Sequence, residues 1–245
     1  MINVVIPMAG RGSRFFDAGY KNPKPFIEIN NKTLIEIVLD NLSIVNAHYY
    51  LLAQREHLIT QSRTIKRISD SFRVTFIPID KITEGAACTV LHAHRFINND
   101  NPLLLANSDQ FIQSDINDYI IDCLSRKLDG SILTFNDKGK NPKWSFAKLD
   151  EKGLVVEVKE KQPISENASV GIYYFSKGRY FVESALDMIV ANERVNGEFY
   201  TCPVYNYCIK NGLKIGIYNI PTEFMHGLGT PDDLNVFLNK GICLR

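Results

Sequence analysis

Long hydrophobic runs are missing from this 245-residue sequence. No apolar stretch approaches the roughly 18 to 20 residues that cross a bilayer as a helix, so a membrane-embedded protein is not expected. The first residues enter a strand-like segment without the basic region and cleavage site of a secretory leader. An excess of charge of one sign is also missing. Lys and Arg total 28 against 27 for Asp and Glu, a net charge of +1, so no general attraction to nucleic acid or to a membrane surface is expected and any positive patch must be local. Cysteine is sparse: Cys88, Cys123, Cys202, Cys208 and Cys243 are odd in number, scattered, and contain no C-x-x-C pair. That pattern excludes a disulfide framework and the usual cysteine metal motifs, and predicts reduced thiols in a cytoplasmic protein.

Several sequence signatures are absent as well. There is no G-x-x-x-x-G-K-[ST] phosphate loop, Phe15 stands where the third glycine of the dinucleotide fingerprint belongs, and no G-x-S-x-G elbow signals a serine nucleophile. The five histidines, His48, His57, His92, His94 and His226, show no zinc spacing; His92 and His94, two apart on a predicted helix, point to different faces. Internal repeats, low-complexity tracts and Pro-, Gly- or Ser-rich linkers are lacking, which predicts one domain over residues 1–245. With 45% hydrophobic residues that domain can bury a sizeable core.

What is present is an alternation of strand and helix patterns. Val4-Val5-Ile6 predicts a buried opening strand, Thr33 to Val45 a helix, Tyr49 to Ala53 a strand, Glu56 to Ile68 a helix, and Phe72 to Ile79 a third strand. Ala86 to Phe96 reads as a helix, Leu103 to Asn107 as a central parallel strand, Asp115 to Lys127 as a helix capped by Asp115 or Ser114, and Ser131 to Phe135 as a strand. Three alternating segments follow, Phe146 to Leu149, Val155 to Lys159 and Ser169 to Phe175, predicting an antiparallel flap inserted at about residues 142–176. Helices at Tyr180 to Asn192, Tyr200 to Lys210 and Pro231 to Asn239, with a strand at Lys214 to Tyr218, complete the pattern. The predicted fold is a doubly wound α/β protein with a mostly parallel, Rossmann-like sheet, whose ligands sit at the carboxyl ends of the strands.

Two such strand ends carry suggestive residues. After the opening strand, Ala9-Gly10-Arg11-Gly12-Ser13-Arg14 can present backbone N–H groups and positive charge to a phosphate, or can be an ordinary glycine turn. Lys24, stiffened between Pro23 and Pro25, is either a second phosphate contact or a solvated lysine. Ser108-Asp109 ends an apolar strand, where a carboxylate must lie at the surface end of the sheet or be paired; it can hold Mg²⁺ beside phosphates or cap a helix. Gly85-Ala86 at a helix start allows a flat ring to approach the backbone or merely makes a tight turn, and Glu160-Lys161 is a binding pair or a solvent-facing turn.

Taken in order, Ala9 to Arg14 with Pro23-Lys24-Pro25, Gly85-Ala86-Ala87, Ser108-Asp109, Glu160-Lys161-Gln162-Pro163, Val170-Gly171-Ile172-Tyr173, Gly197-Glu198-Phe199-Tyr200 and Gly229-Thr230-Pro231-x-Asp233-Leu234 resemble the sugar-phosphate nucleotidyltransferase family over nearly the whole chain. The resemblance implies a GT-A-like nucleotidyltransferase fold. It also implies a reaction in which a phosphorylated acceptor attacks the α-phosphorus of a nucleoside triphosphate and releases pyrophosphate. Arg14, Lys24 and Asp109 would be catalytic. Ala9, Gly10, Arg11, Gly12, Ser13, Gly85, Ala86 and Ser108 would bind the nucleotide, Glu160, Lys161, Gly171 and Glu198 the acceptor, and Asp109 a Mg²⁺ or Mn²⁺ ion. Within the family, Pro7-Met8-Ala9-Gly10 and His226-Gly227-Leu228-Gly229 are similar to capsule-locus cytidylyltransferases, which implies CTP with an acceptor such as phosphoglutamine; UTP, CTP or GTP with a sugar 1-phosphate is the alternative, and a homodimer is compatible with either. One departure stands out. Many members carry a second metal-binding aspartate just before the C-terminal Gly-Thr, and here Phe224 to Gly229 holds no carboxylate, so Asp232 and Asp233 are left as metal ligands or helix caps.

Overall fold

In the computed structural model, which describes residues 1–242, the opening apolar run is strand β1 (Ile2–Pro7), with Val4, Val5 and Ile6 fully buried. It breaks into the Gly-Arg loop and the short helix α1 (Ser13–Asp17), then a 3-10 turn at Lys24–Phe26 and a small hairpin, β2 (Glu28–Ile29) and β3 (Lys32–Thr33). Helix α2 (Leu34–Leu42) begins where it does because Thr33 and Glu36 form a reciprocal capping box that satisfies its first N–H groups. The chain continues through β4 (Ala47–Gln54), α3 (Arg55–Thr60), α4 (Ser62–Ser71), β5 (Val74–Ile79), α5 (Ala86–Leu91), α6 (His94–Ile97), β6 (Leu103–Ala106), β7 (Gln110–Ile112), α7 (Ile116–Ser125) and β8 (Gly130–Asn136). Strands β9 (Ser145–Leu149), β10 (Val155–Glu160) and β11 (Asn167–Phe175), helices α8 (Gly178–Val190) and α9 (Val204–Lys210), strands β12 (Ile215–Ile220) and β13 (Met225–Gly227), and helix α10 (Pro231–Asn239) follow.

Among the described residues the main sheet has nine strands. Its central path runs β12-β8-β11-β6-β1-β4-β5. Strand β1 is parallel to both β4 and β6, β4 to β5, and β8 to β12. Because side chains alternate across a strand, Val4 and Ile6 join one apolar layer and Val5 the other. The first layer is covered by α2 and α7, the second by α5, α8 and α9, which is the doubly wound arrangement. A third, smaller cluster joins Phe15 of α1, Ile27 and Ile29 of the hairpin region, Leu34, Phe111 of β7, Leu228, and Leu234 and Phe237 of α10. It clamps the segments flanking the carboxyl ends of β1 and β6.

Several predicted elements are corrected. Strand β11 is not part of a flap: its second half is hydrogen-bonded between β6 and β8, antiparallel to both, so it is a central strand of the main sheet. Its residues are buried nearly throughout, and period-2 patterning cannot distinguish a flap strand from a central one. Only β9 and β10 form the appended antiparallel ribbon, joined to β11 at Ala168 opposite Phe146. The predicted helix Ala86 to Phe96 is two helices, because the N–H groups of His92 and Ala93 bond three residues back rather than four and tighten the turn between them. Glu56 to Ile68 is likewise divided at Gln61. The helix predicted from Tyr200 starts at Val204, behind Pro203, whose missing N–H suits a helix start. Asp115 does cap α7, accepting from the Asn117 backbone N–H at 2.8 Å. Cys243 lies outside the described residues.

Candidate active site

Strands β1 and β6 are adjacent and parallel, so the Gly-Arg loop and the Asn107-Ser108-Asp109 turn leave the sheet side by side at its carboxyl edge. Neighbours of β1 are β4 on one side and β6 on the other, which makes this the crevice where an open α/β sheet binds its ligand. Gln54, at the end of β4, donates from Nε2 to the carbonyls of Ala9 and Gly10, both at 3.1 Å, and holds the loop in place. Ala9 is buried, Gly12 and Ser108 are half-buried, and Gly10, Arg11, Ser13 and Arg14 are exposed. Among the described residues neither arginine makes an ion pair, so two guanidinium groups stand available beside the loop.

Lys24 meets Asp109 directly. Its Nζ lies 2.5 Å from Asp109 Oδ2, across 85 residues of sequence, with 17% and 27% of the two side chains exposed. Pro25 and Phe26 are buried and anchor the segment that carries the lysine. Asp109 is fixed from its own backbone too, since its carbonyl accepts the Leu228 N–H at 2.7 Å, next to the short pairing of β7 with β13.

At Gly85 the backbone adopts φ +128°, and a Cβ there would meet the Phe199 carbonyl oxygen at 2.4 Å. Hydrogen bonds from the Phe199 N–H to the Glu84 carbonyl and from the Ala87 N–H to the Phe199 carbonyl close the same contact, at 2.7 and 3.0 Å. The close approach that this glycine allows is therefore made by the chain's own Gly197-Glu198-Phe199 segment, while Ala86 opens α5 beside it.

A second polar group lies where β10 ends. Glu160 is buried at 7% exposure and accepts a hydrogen bond from the Ser145 hydroxyl. Burial raises its carboxyl above the ordinary value, with Ser145 and the Lys161 charge opposing that shift. Lys161 Nζ donates to the Tyr200 hydroxyl at 2.6 Å, a bond that raises its ammonium pKa. Tyr173 and Cys202, both buried, complete the surroundings through contacts with Ser145 and Ser169. Glu198 is exposed but close enough to act electrostatically on both Glu160 and Lys161.

Gly171 joins the two groups. It lies where β11 slips register between Ser169 and Tyr173, with φ +91°, and a Cβ would lie 2.3 Å from Asn107 Nδ2 and 2.4 Å from Gln110 Oε1. That Gln110 oxygen is buried without a hydrogen-bond partner in the described residues. An unpaired buried acceptor is costly and suits a ligand donor. The structure thus brings Lys24 to Asp109, and Glu160 to Lys161 and Glu198, while Gly85 touches Glu198's own segment. Gln54, Asn107, Gln110 and Ser145 were given no role by the sequence, and Tyr200 entered only as the last residue of a quoted motif; the first four are polar residues within two positions of a strand end, which is the only signal they carry.

No group of three or more His, Cys, Asp or Glu side chains among the described residues converges to hold a metal by itself. A single partly exposed carboxylate still fits Mg²⁺ or Mn²⁺, because such ions are commonly held by one or two carboxylates together with substrate phosphates. The ammonium at 2.5 Å shows that the Asp109 oxygen accepts a cation.

A doubly wound sheet whose central strand ends carry a glycine loop, two arginines, a lysine and a carboxylate defines an α/β protein of the class that takes its ligands at the carboxyl edge of the sheet. The chain belongs to the nucleotidyl transferase family, whose model matches residues 3–199. A Methanococcus aeolicus protein named Bifunctional protein GlmU is 24% identical over 239 residues, covering 95% of this chain and 53% of that protein, so the chain spans about half the length of the curated relatives it matches. Among solved structures, a nucleoside-diphosphate-sugar pyrophosphorylase from Vibrio cholerae superposes with a TM-score of 0.80 at 28% identity, over 96% of this chain and 99% of that one. An inositol-1-phosphate CTP transferase from T. maritima superposes with a TM-score of 0.73 at 12% identity, over 97% and 93%, and shares the fold.

Proposed function

We propose that this chain catalyses transfer of a nucleotidyl group from a nucleoside triphosphate to a phosphorylated small-molecule acceptor, with release of pyrophosphate. The observation that carries this reading is the pairing of Lys24 with Asp109 at the shared carboxyl edge of β1 and β6, beneath a loop with two unpaired arginines. Charge neutralisation and alignment are what such a transfer needs, because the acceptor phosphate is already anionic and requires no general base. An acceptor phosphate oxygen forms a bond to the α-phosphorus, the α–β bridging bond breaks, and its electron pair leaves on pyrophosphate.

In this reading Ala9 to Ser13 and Ser108 cradle the triphosphate, Arg14 and Lys24 neutralise it, and Gly85-Ala86 with the abutting Phe199 segment border the base. Asp109 holds Mg²⁺ or Mn²⁺, which supplies charge stabilisation at the phosphoryl oxygens. Glu160, Lys161, Gly171 and Glu198 face the acceptor. Glu160 is suited to accept from an acceptor hydroxyl or amide, being a buried carboxylate with a single hydroxyl donor given by Ser145. Two substrate pairs follow: CTP with a phosphorylated metabolite such as phosphoglutamine, for cell-surface polysaccharide synthesis, or UTP, CTP or GTP with a sugar 1-phosphate. The name of the Vibrio cholerae neighbour, a nucleoside-diphosphate-sugar pyrophosphorylase, supports the second class of acceptor as well as the first.

Pyrophosphate release, measured with Mg²⁺, each of the four triphosphates and a panel of sugar phosphates and phosphorylated amino acids, tests the proposal. Turnover with one acceptor class is the expected result, and Asp109→Asn and Lys24→Met should each lower it at least about a hundredfold while the fold is kept. Tight triphosphate binding without turnover on any acceptor would replace the enzyme by a regulatory nucleotide-binding protein.

A further inference from the structure

We infer that Asp233, from the first turn of α10, is the second carboxylate of the cation site at Asp109. This inference deepens the proposed function and rests on it for the role of the ion. Its basis is the space around two glycines. A Cβ on Gly229 would lie 3.0 Å from Asp109 Oδ2 and 4.0 Å from Asp233 Oδ2, so both carboxylates border the space beside this glycine. A Cβ on Gly227 would lie 3.6 to 3.8 Å from all three carboxyl atoms of Asp233. The side chain of Asp233 therefore fills the direction into which any residue at 227 would project.

The orientation of Asp233 is set, and one of its oxygens is uncommitted. Thr230 Oγ1 donates to Oδ2 at 2.7 Å and accepts the Asp233 backbone N–H at 3.0 Å. Capping of α10 thus uses the Thr230 hydroxyl and the Asp233 main chain; the Asp233 carboxylate is not needed as the cap acceptor. Among the described residues Oδ1 makes no hydrogen bond and the carboxylate has no basic partner. Beside it, the Asp109 carboxylate has Lys24 as its sole ion-pair partner among the described residues. Two half-buried carboxylates against one ammonium leave an excess negative charge, which a divalent cation balances. The third apolar cluster anchors the chain around these glycines, since Leu228, between them in sequence, packs in one cluster with Phe111, Leu234 and Phe237.

The test is Mn²⁺ binding by the full chain without nucleotide, read from the electron paramagnetic resonance of the free ion. The Lys24→Met protein, relieved of the competing ammonium, should bind Mn²⁺ more tightly than the wild type. In that background Asp233→Asn should weaken Mn²⁺ about tenfold or more, as Asp109→Asn does, whereas Asp232→Asn, an exposed neighbour on the same turn, should not. Asn keeps the capping N–H and an oxygen for Thr230, and an unchanged melting temperature shows that any loss is one of ligation. Wild-type Mn²⁺ affinity in Asp233→Asn alongside weakened affinity in Asp109→Asn would overturn the inference, as would absence of Mn²⁺ binding in the Lys24→Met protein. Pyrophosphate release by the wild type is scored separately, so failure of the parent proposal and failure of this ligand assignment give different results.

Discussion

Glu160 shows how much a single position can carry. Its carboxyl is pushed up by burial, so the folded state holds the proton more tightly than the unfolded chain does. The resulting stability is fully present below the ordinary glutamate pKa and is lost as pH rises through the raised value. At neutral pH the ionised form costs folding free energy that Glu160→Gln should recover. The expected outcome is a higher melting temperature for the Gln variant at pH 7, a gain that shrinks as the pH approaches 4, together with a raised KM for the acceptor. Thermal melts across pH check the first part and steady-state kinetics the second. A residue retained at a cost to stability is what an acceptor-binding group would be. At this scale the sequence was informative about residue types and silent about pairing. Lys24 is conspicuous between two prolines and Asp109 at the end of an apolar strand, yet nothing along the chain says that they touch across 85 residues. Asp233 was hidden more deeply, because a Thr-Pro-x-Asp sequence is fully explained as a helix start and its carboxylate's direction depends on glycines at 227 and 229.

Elements explain why those residues meet. The turn before α5 and the segment before α9 are locked together at Gly85 and Phe199, a contact no side chain at 85 could tolerate. Gly85→Ala should therefore cost at least about 2 kcal/mol through strain and displacement of the Phe199 backbone. Since Glu198 and Tyr200 flank Phe199, the same substitution should weaken both nucleotide and acceptor binding. Denaturant melts and binding titrations measure the two effects, and unchanged values would mean that the Phe199 segment yields without consequence. Long periodic elements such as α2, α7 and α8 were legible from their apolar spacing. The short ones were not: α1, the 24–26 turn, the β2–β3 hairpin and the β7–β13 pair are too brief to show a period, and they are stabilised by the third apolar cluster rather than by local propensity. The segments that carry Lys24 and Asp109, and the 227–229 stretch beside Asp233, belong to or adjoin these unpredicted pieces.

For the whole molecule, ligand binding and stability are linked. If a metal–triphosphate complex joins the loop after β1 to the turn after β6, it bridges the start of the chain to its middle, and binding to the folded state alone raises the unfolding free energy by about 2.7 kcal/mol at a hundred times the dissociation constant. For a protein of this size that corresponds to a rise of roughly 5 to 10 °C in melting temperature. Differential scanning fluorimetry with each triphosphate and Mg²⁺ should show this shift for the cognate base and little for the others, and Asp109→Asn should remove most of it. The doubly wound plan was readable because strand and helix patterns alternate; strand order was not, because pairing partners are set by packing across long separations.

The most consequential of those pairings is the insertion of β11 between β6 and β8. During synthesis β6 emerges well before β11, and at about 5–20 residues per second the ribosome takes several seconds to deliver the missing neighbour. Through that interval the nascent chain carries Leu103-Leu104-Leu105-Ala106 as an open, wholly apolar sheet edge. Production of this protein is thus timed by residues 167–175, and slowing translation ahead of them should divert nascent chains toward aggregation more than an equal pause placed after them.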